Sequence, residues 1–364
     1  MCKTIIESRK VPEFVLKKNF VHPQDQLSSS SAIDGFLLPG IIDVHFHGAF
    51  GWDFAFGDAD KIEEMLDKVL LQGITGVFPT LITCSENQRI NALIDIASVI
   101  RNRKKPPILH GIYLEGPFLS AARRGSHPEK DLLRPDFALL EKWQDAAEGH
   151  IKIITIAPEL DGAIEFIEKA TESGVVCALG HSDANWQQTQ AAIDAGARHV
   201  THLFNAMPAL HHRKPNLLSC ILANKNLNIE LIGDSIHIAP EMIKLAYSIY
   251  ESDQIIITSD CVATTGLADG TYDLYGRRLI AAQNSCRLED GNLFGGSATL
   301  ISSLKKLGQE EKIAWGLLGT SVWRNPCRLM DIEPPDTEVF FDPDFNWLAT
   351  RHGHSWYTAE LDAN

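Results

Sequence analysis

No C-x-x-C pair occurs in this chain, and its seven cysteines (Cys2, Cys84, Cys177, Cys220, Cys261, Cys286, Cys327) are odd in number and widely scattered. That pattern excludes a disulfide framework and points to a reducing compartment. The first residues, Met1 to Lys10, mix charges early and lack the apolar run of a signal peptide. No stretch approaches the roughly 18 consecutive apolar residues of a membrane span, so a cytoplasmic protein with no membrane partner is expected. Positive charge is also scarce. With 33 Lys and Arg against 47 Asp and Glu, the formal net charge is −14, which speaks against nucleic acid as a partner. An anionic small molecule would need a local basic cluster, and His211-His212-Arg213-Lys214 is one of the few available. No glycine-rich turn follows the first apolar run, which argues against a doubly wound dinucleotide-binding sheet, although an open sheet remains the alternative architecture.

What is present is a repeating alternation. The chain has 364 residues, 45% of them hydrophobic, enough for one large barrel with a small appendage. Short β-type runs occur at residues 40–45, 76–80, 108–115, 151–157, 175–181, 199–202, 229–237 and 254–260. Between them lie segments of helical spacing, at 60–72, 85–101, 162–173, 184–195 and 240–250. Alternation of this kind builds a parallel sheet with crossover helices, and eight strands is the number that closes a (β/α)8 barrel. Residues 1–38, including the serine run Ser28 to Ser31, form a polar start that reads as a linker or loop. Residues 270–293 are turn-rich, 297–307 and 313–324 have helical spacing, and the tail from Asp331, with Trp347, Trp356 and Tyr357, suits strands packed outside the barrel. The expected division is an N-terminal segment 1–38 and a C-terminal segment 331–364, joined in a small β subdomain, around a barrel at 39–330.

Nearly every expected strand ends in a histidine or carboxylate, where barrel enzymes keep their chemistry. His45 and His47 are two apart, so on extended backbone both rings project to one side and suit a shared metal, although an isolated H-x-H serves equally as a polar turn. Glu115 closes an apolar run before Gly116-Pro117, where burial is costly unless a cation or metal pairs with it. His181 and His202 end adjacent strands and complete, with Glu115, the three-ligand set of an open catalytic site. Asp260 follows Ile255-Ile256-Ile257-Thr258-Ser259; it is either a helix cap or a base beside the metal.

Six motifs in order carry a family resemblance: His45-Phe46-His47-Gly48, Leu114-Glu115-Gly116-Pro117, Gly180-His181-Ser182, His202-Leu203-Phe204-Asn205-Ala206-Met207-Pro208, Asp234-Ser235-Ile236-His237 and Ser259-Asp260. Over residues 38–307 the chain resembles the N-acetylglucosamine-6-phosphate deacetylase family of metal-dependent amidohydrolases. The resemblance implies an α/β, TIM-like barrel that hydrolyses the acetamide of N-acetylglucosamine 6-phosphate with a metal-activated water. It further implies a divalent cofactor, zinc or iron, one or two ions per subunit: Glu115, His181 and His202 would hold the principal ion and His45 and His47 a second, although some family members lack that pair and use one. Asp260 would be the catalytic acid/base and His127 would polarise the carbonyl. Ser126, Asn205, Ala206, Arg213, His237, Phe294 and Gly295 would bind the phosphorylated amino sugar, with Arg213 reaching the site of the partner in a homodimer.

This chain departs from the family pattern at Ser235 and Asn216, where glycine is usual, and at its ending, Phe340-Phe341-Asp342-Pro343-Asp344. Two other functions compete. A cyclic-amidase or deaminase of this superfamily would often carry a carboxylated lysine on the fourth strand, where only Lys152 stands, at its start. A noncatalytic sugar-phosphate binder would have no need of Asp260 beside a full set of candidate ligands.

Overall fold

The computed structural model describes residues 5–8, 20–21, 35–333 and 336–359. Eight parallel strands form the barrel: β1 (Ile42–Phe46), β2 (Gly76–Ile82), β3 (Ile112–Phe118), β4 (Ile151–Ile156), β5 (Val176–Leu179), β6 (His199–Val200), β7 (Asn228–Ile232) and β8 (Ile255–Thr258). Neighbours in space are neighbours in sequence. The sheet closes on itself where Phe46 bridges Cys261 and the Asp260 amide donates to the His45 carbonyl at 3.0 Å.

Alternation along each strand sorts side chains to two faces. Ile42, Val44, Phe78, Tyr113, Ile153, Val176, Ala178 and Ile256 meet in the barrel interior. Their neighbours Val77, Leu114, Ile154, Leu179, Leu231 and Ile257 belong instead to the larger core shared with the helices. Those helices are α1 (Ala59–Leu70), α2 (Glu86–Asn102), α3 (Phe137–Ala146), α4 (Ala163–Glu172), α5 (Trp186–Asp194), α6 (Leu217–Ala223) and α7 (Pro240–Ile249), followed by α8 (Leu300–Lys305), α9 (Trp315–Val322) and α10 (Arg324–Met330). Helix α1 is representative: Asp58 caps it by accepting from the Lys61 amide, and Ile62, Met65, Leu66 and Val69, spaced three and four apart, are buried. Each such side chain contributes about 1.5–3 kcal/mol through burial.

The third strand differs from expectation. It breaks after Ile108–Leu109 and resumes at Ile112; within the break Gly111 takes φ +149°, and a Cβ there would fall 2.4 Å from Lys152 Cγ. It then runs past Glu115 to Phe118.

Two further sheets flank the barrel. Thr337–Phe341, Trp347–His352 and Ser355–Ala359 join Gly35–Leu38, Phe20–Val21 and Ile5–Ser8 in one six-stranded sheet built from both parts of the chain outside the barrel. The serine run and Pro334-Pro335 lie outside the described residues. Between β8 and α8, residues 270–296 form a four-stranded antiparallel sheet, the turn-rich region of the sequence. Among the described residues no helix is long and apolar enough to cross a membrane.

Candidate metal centre

The carboxyl ends of the strands gather the expected residues. Register shifts interrupt the β1–β2 pairing between Asp43 and Phe46 and the β3–β4 pairing between Leu114 and Phe118. Such bulges re-aim side chains, here those of His45 and Glu115. His181, His202 and Asp260 take φ of 47°, 25° and 52°, a left-handed conformation that side-chain-bearing residues adopt at a cost of about 1–3 kcal/mol and that clusters at functional sites.

Two buried donor groups result, His45-His47-Asp260 and Glu115-His181-His202, each with its ligand atoms within 4.8 Å of one another. Glu115 stands between them. Its Oε1 is 3.0 Å from His181 Nε2 and 2.8 Å from His202 Nε2, and its Oε2 is 3.3 Å from His47 Nε2.

The hydrogen bonds on the far side of the rings test whether a cation fits. His45 donates from Nδ1 to Glu230 at 2.9 Å, and His47 from Nδ1 to the Thr80 carbonyl at 3.1 Å. In their neutral forms both therefore present lone pairs from Nε2, and these atoms face each other across 3.2 Å. His181 donates from Nδ1 to the Arg123 carbonyl at 2.9 Å, leaving its Nε2 lone pair against the Glu115 carboxylate. Lone pairs converging in this way repel unless a cation lies among them, and imidazole with carboxylate suits a divalent metal ion. The electrostatics agree. Burial opposes charge on both rings, yet Glu230 and Glu115 lift His45 well above its ordinary value, and Asp260 and Glu115 push His47 up to about 9. Burial would raise Glu115, but facing His127 and His45 hold it well below the usual carboxylate range.

Asp260 turns Oδ1 toward His47 and His45, at 3.3 and 3.5 Å. Burial would raise its pKa, but the His47 hydrogen bond and the charge on His45 keep it below the ordinary value. On the opposite side, Thr83 donates its amide to His127 Nδ1 at 3.3 Å, with its hydroxyl 2.8 Å from the same nitrogen. That leaves the ring proton on Nε2, 3.3 Å from Glu115 Oε2. Burial outweighs the pull of Glu115 and pushes His127 down to about 4, so the ring is a neutral donor.

Ser126 and Phe294 line a cleft of about 410 Å3 with Thr83, Tyr275 and Arg277. Arg277 donates to the Ser126 carbonyl at 2.5 Å, tying the antiparallel sheet to the loop that carries His127. Gly295 continues that sheet beside Asp260, since Gly296 donates to the Asp260 carbonyl at 2.7 Å. A cleft of similar size, about 420 Å3, lies at the other end of the barrel near Asn228 and Gln254, away from these residues.

The remaining expected residues follow β6 and β7. His237 donates from Nδ1 to Asp234 at 2.6 Å. Burial works against its charged form, but Asp234 outweighs that and raises its pKa. Asn205 and Ala206 are half-buried in the turn after His202. Arg213 is not drawn into the buried cluster: it is exposed, with Nη1 2.5 Å from His212 Nε2. Of the two family departures, Asn216 caps α6, accepting from the Ser219 amide at 3.2 Å, whereas Ser235 holds φ 60° with its hydroxyl buried and unpartnered.

Three residues escaped the sequence reading. Asp43 accepts from the Thr258 and Ser259 hydroxyls at 2.7 and 2.5 Å, fixing the end of β8 beside β1. Thr83 orients His127, and Glu230 meets His45. Glu230 left a signal in the sequence, a carboxylate amid Asn228-Ile229-Glu230-Leu231-Ile232 that burial alone would make costly.

Residues 36–282 match the model of the amidohydrolase family. The chain is 33% identical over 303 residues to an N-acetylglucosamine-6-phosphate deacetylase of Bacillus subtilis (strain 168), covering 82% of this chain and 76% of that protein. It is 30% identical over 271 residues to an N-acetylgalactosamine-6-phosphate deacetylase of Escherichia coli O157:H7, covering 74% and 72%. Among solved structures, a mutant N-acetyl-D-glucosamine-6-phosphate deacetylase from Mycobacterium smegmatis in complex with N-acetyl-D-glucosamine-6-phosphate superposes with a TM-score of 0.83 at 27% identity, over 90% of each chain. The Thermotoga maritima N-acetylglucosamine-6-phosphate deacetylase gives 0.80 at 25% identity, over 96% of this chain and 98% of that one.

Proposed function

The chain belongs to the amidohydrolase family and, within it, to the N-acetylglucosamine-6-phosphate deacetylases, and on that premise we propose that it hydrolyses N-acetylglucosamine 6-phosphate to glucosamine 6-phosphate and acetate in amino-sugar breakdown. The observation that carries the reading is the pair of adjoining donor groups at the barrel mouth, His45-His47-Asp260 and Glu115-His181-His202, which meet where Glu115 approaches His47, with His127 facing Glu115 from the other side. Glu115, His181 and His202 would hold one divalent ion, zinc or iron, and His45 and His47 a second. An ion so held supplies Lewis-acid activation of water and of the amide carbonyl.

The chain's own groups do the rest. His127 donates from Nε2 toward the carbonyl oxygen, stabilising negative charge as it develops there. Asp260, kept ionised, accepts the proton of the attacking water and returns it to the nitrogen, which is too basic to leave as an amide anion. Gly295 packs against the Asp260 backbone and so fixes where this carboxylate stands, and Phe294 and Ser126 border the cleft. At the other end of the substrate, His237, held toward its charged form by Asp234, binds the phosphate, and the turn at Asn205 and Ala206 offers backbone or amide contacts. Arg213 adds a second positive charge from the partner of a cytoplasmic homodimer; its exposure, and that of neighbouring Leu210, support this.

Acetate release tests the proposal. Purified enzyme should act on N-acetylglucosamine 6-phosphate with higher kcat/KM than on the galacto epimer or on unphosphorylated N-acetylglucosamine. Preference for the galacto epimer would reassign the substrate, and no acetate from any of the three would overturn the reading.

A further inference from the structure

Glu230 lies mid-strand in β7, fully buried between Ile229 and Leu231. An ionised carboxylate in such a place is costly unless its lone pairs are used. Here N–H groups from three residues converge on it. Oε2 accepts from His45 Nδ1 at 2.9 Å and from the His202 amide at 3.1 Å, and Oε1 accepts from His199 Nε2 at 2.9 Å. The Glu230 backbone carbonyl also accepts from the Leu203 amide at 2.9 Å, so side chain and main chain together hold the turn at 202–203, where His202 takes φ 25°.

His45 and His202 belong to different donor groups. We infer that Glu230 is a positioning residue that couples the two metal half-sites through these bonds. It fixes the His45 ring with the Nε2 lone pair aimed at His47, and it holds the strained His202 backbone so that Nε2 meets Glu115. Neither role touches substrate. The inference rests on the proposed metal-dependent reading of the site.

The chemistry explains why a carboxylate stands here. An amide side chain has one acceptor oxygen, so glutamine serving His45 and the His202 amide turns its NH2 toward His199. His199 has an unpartnered Nδ1 and can change tautomer to receive it. Glu230→Gln is therefore a mild change that weakens the charge-assisted grip on His45. Glu230→Asp keeps the charge but is one methylene too short to reach His45 and His199 together.

Both variants and wild type would be loaded with zinc, passed over a desalting column, and compared by elemental analysis, chelator competition and thermal melting of apo and loaded protein. Cobalt-substituted samples add visible spectra. Wild type is expected to retain two ions. The variants should lose the more weakly held ion with roughly a ten- to hundredfold drop in affinity, as partners of metal-ligating histidines usually do when replaced. They should also show a changed cobalt spectrum and a greater loss of melting temperature in the loaded than in the apo form. Wild-type metal affinity and spectrum in the variants, or equal melting losses in apo and loaded protein, would make Glu230 merely structural and overturn the inference alone. A wild-type protein that takes up no divalent metal would instead overturn the reading beneath it.

Discussion

Gly295 packs against the backbone of Asp260: a Cβ added at residue 295 would lie 3.0 Å from the Asp260 carbonyl oxygen and 3.6 Å from Oδ2, with φ at +136°. Val262 Cγ1 would be nearer still, at 2.5 Å. Gly295→Ala must therefore shift the segment that carries the carboxylate. Stability should fall by about 1–3 kcal/mol from backbone strain, and kcat by about a hundredfold, as for small displacements of a reacting group. Thermal melting with steady-state kinetics measures both. A lower melting point with unchanged kcat would separate Gly295 from the chemistry.

Asp260→Asn keeps the size of the side chain but can neither take nor return a proton. The variant should retain metal and bind substrate with near-normal KM, while kcat drops by about a hundred- to ten-thousandfold. Metal loss in the variant would mark Asp260 chiefly as a ligand, consistent with its grouping with His45 and His47.

Removing the lone pairs that face each other across 3.2 Å, by His45→Ala with His47→Ala, should leave one ion per chain at Glu115, His181 and His202. Elemental analysis after desalting reads this directly. Unchanged stoichiometry would rule out a second ion at these histidines.

At Ser235, φ 60° and a buried hydroxyl without a partner are both unfavourable. Ser235→Gly removes the Cβ strain, worth roughly 1–2 kcal/mol, and gives back about 0.5–1 kcal/mol in chain entropy. A net gain of about 0.5–1 kcal/mol should raise the melting temperature by roughly 2 °C. A fall would mean that the hydroxyl contributes more than its surroundings indicate.

Arg213→Ala should raise KM for a phosphorylated sugar by about ten- to a hundredfold, through loss of a charge-assisted contact of about 1.5–3 kcal/mol, and leave the unphosphorylated analogue little changed. Equal effects on both substrates would assign Arg213 to the surface.

The repeating pattern of apolar runs and helical segments is a local property, and it determined the barrel, because burial on both strand faces needs continuous Ile, Val and Leu runs such as Ile255-Ile256-Ile257. Local sequence also marked His45, His47, Glu115, His181, His202 and Asp260, since polar groups that interrupt apolar runs are costly without a purpose. Periodicity could not divide the third strand at Gly111, where the backbone takes φ +149° and passes close to Lys152 of the adjacent strand. Nor could it pair Asp43 with Ser259, 216 positions away, Thr83 with His127, or Glu230 with His45, His199 and His202. Those bonds exist only once the barrel has closed and brought strands distant in sequence edge to edge. A buried carboxylate in a sequence announces that it must have partners; which ones it has is decided by the geometry of the closed sheet.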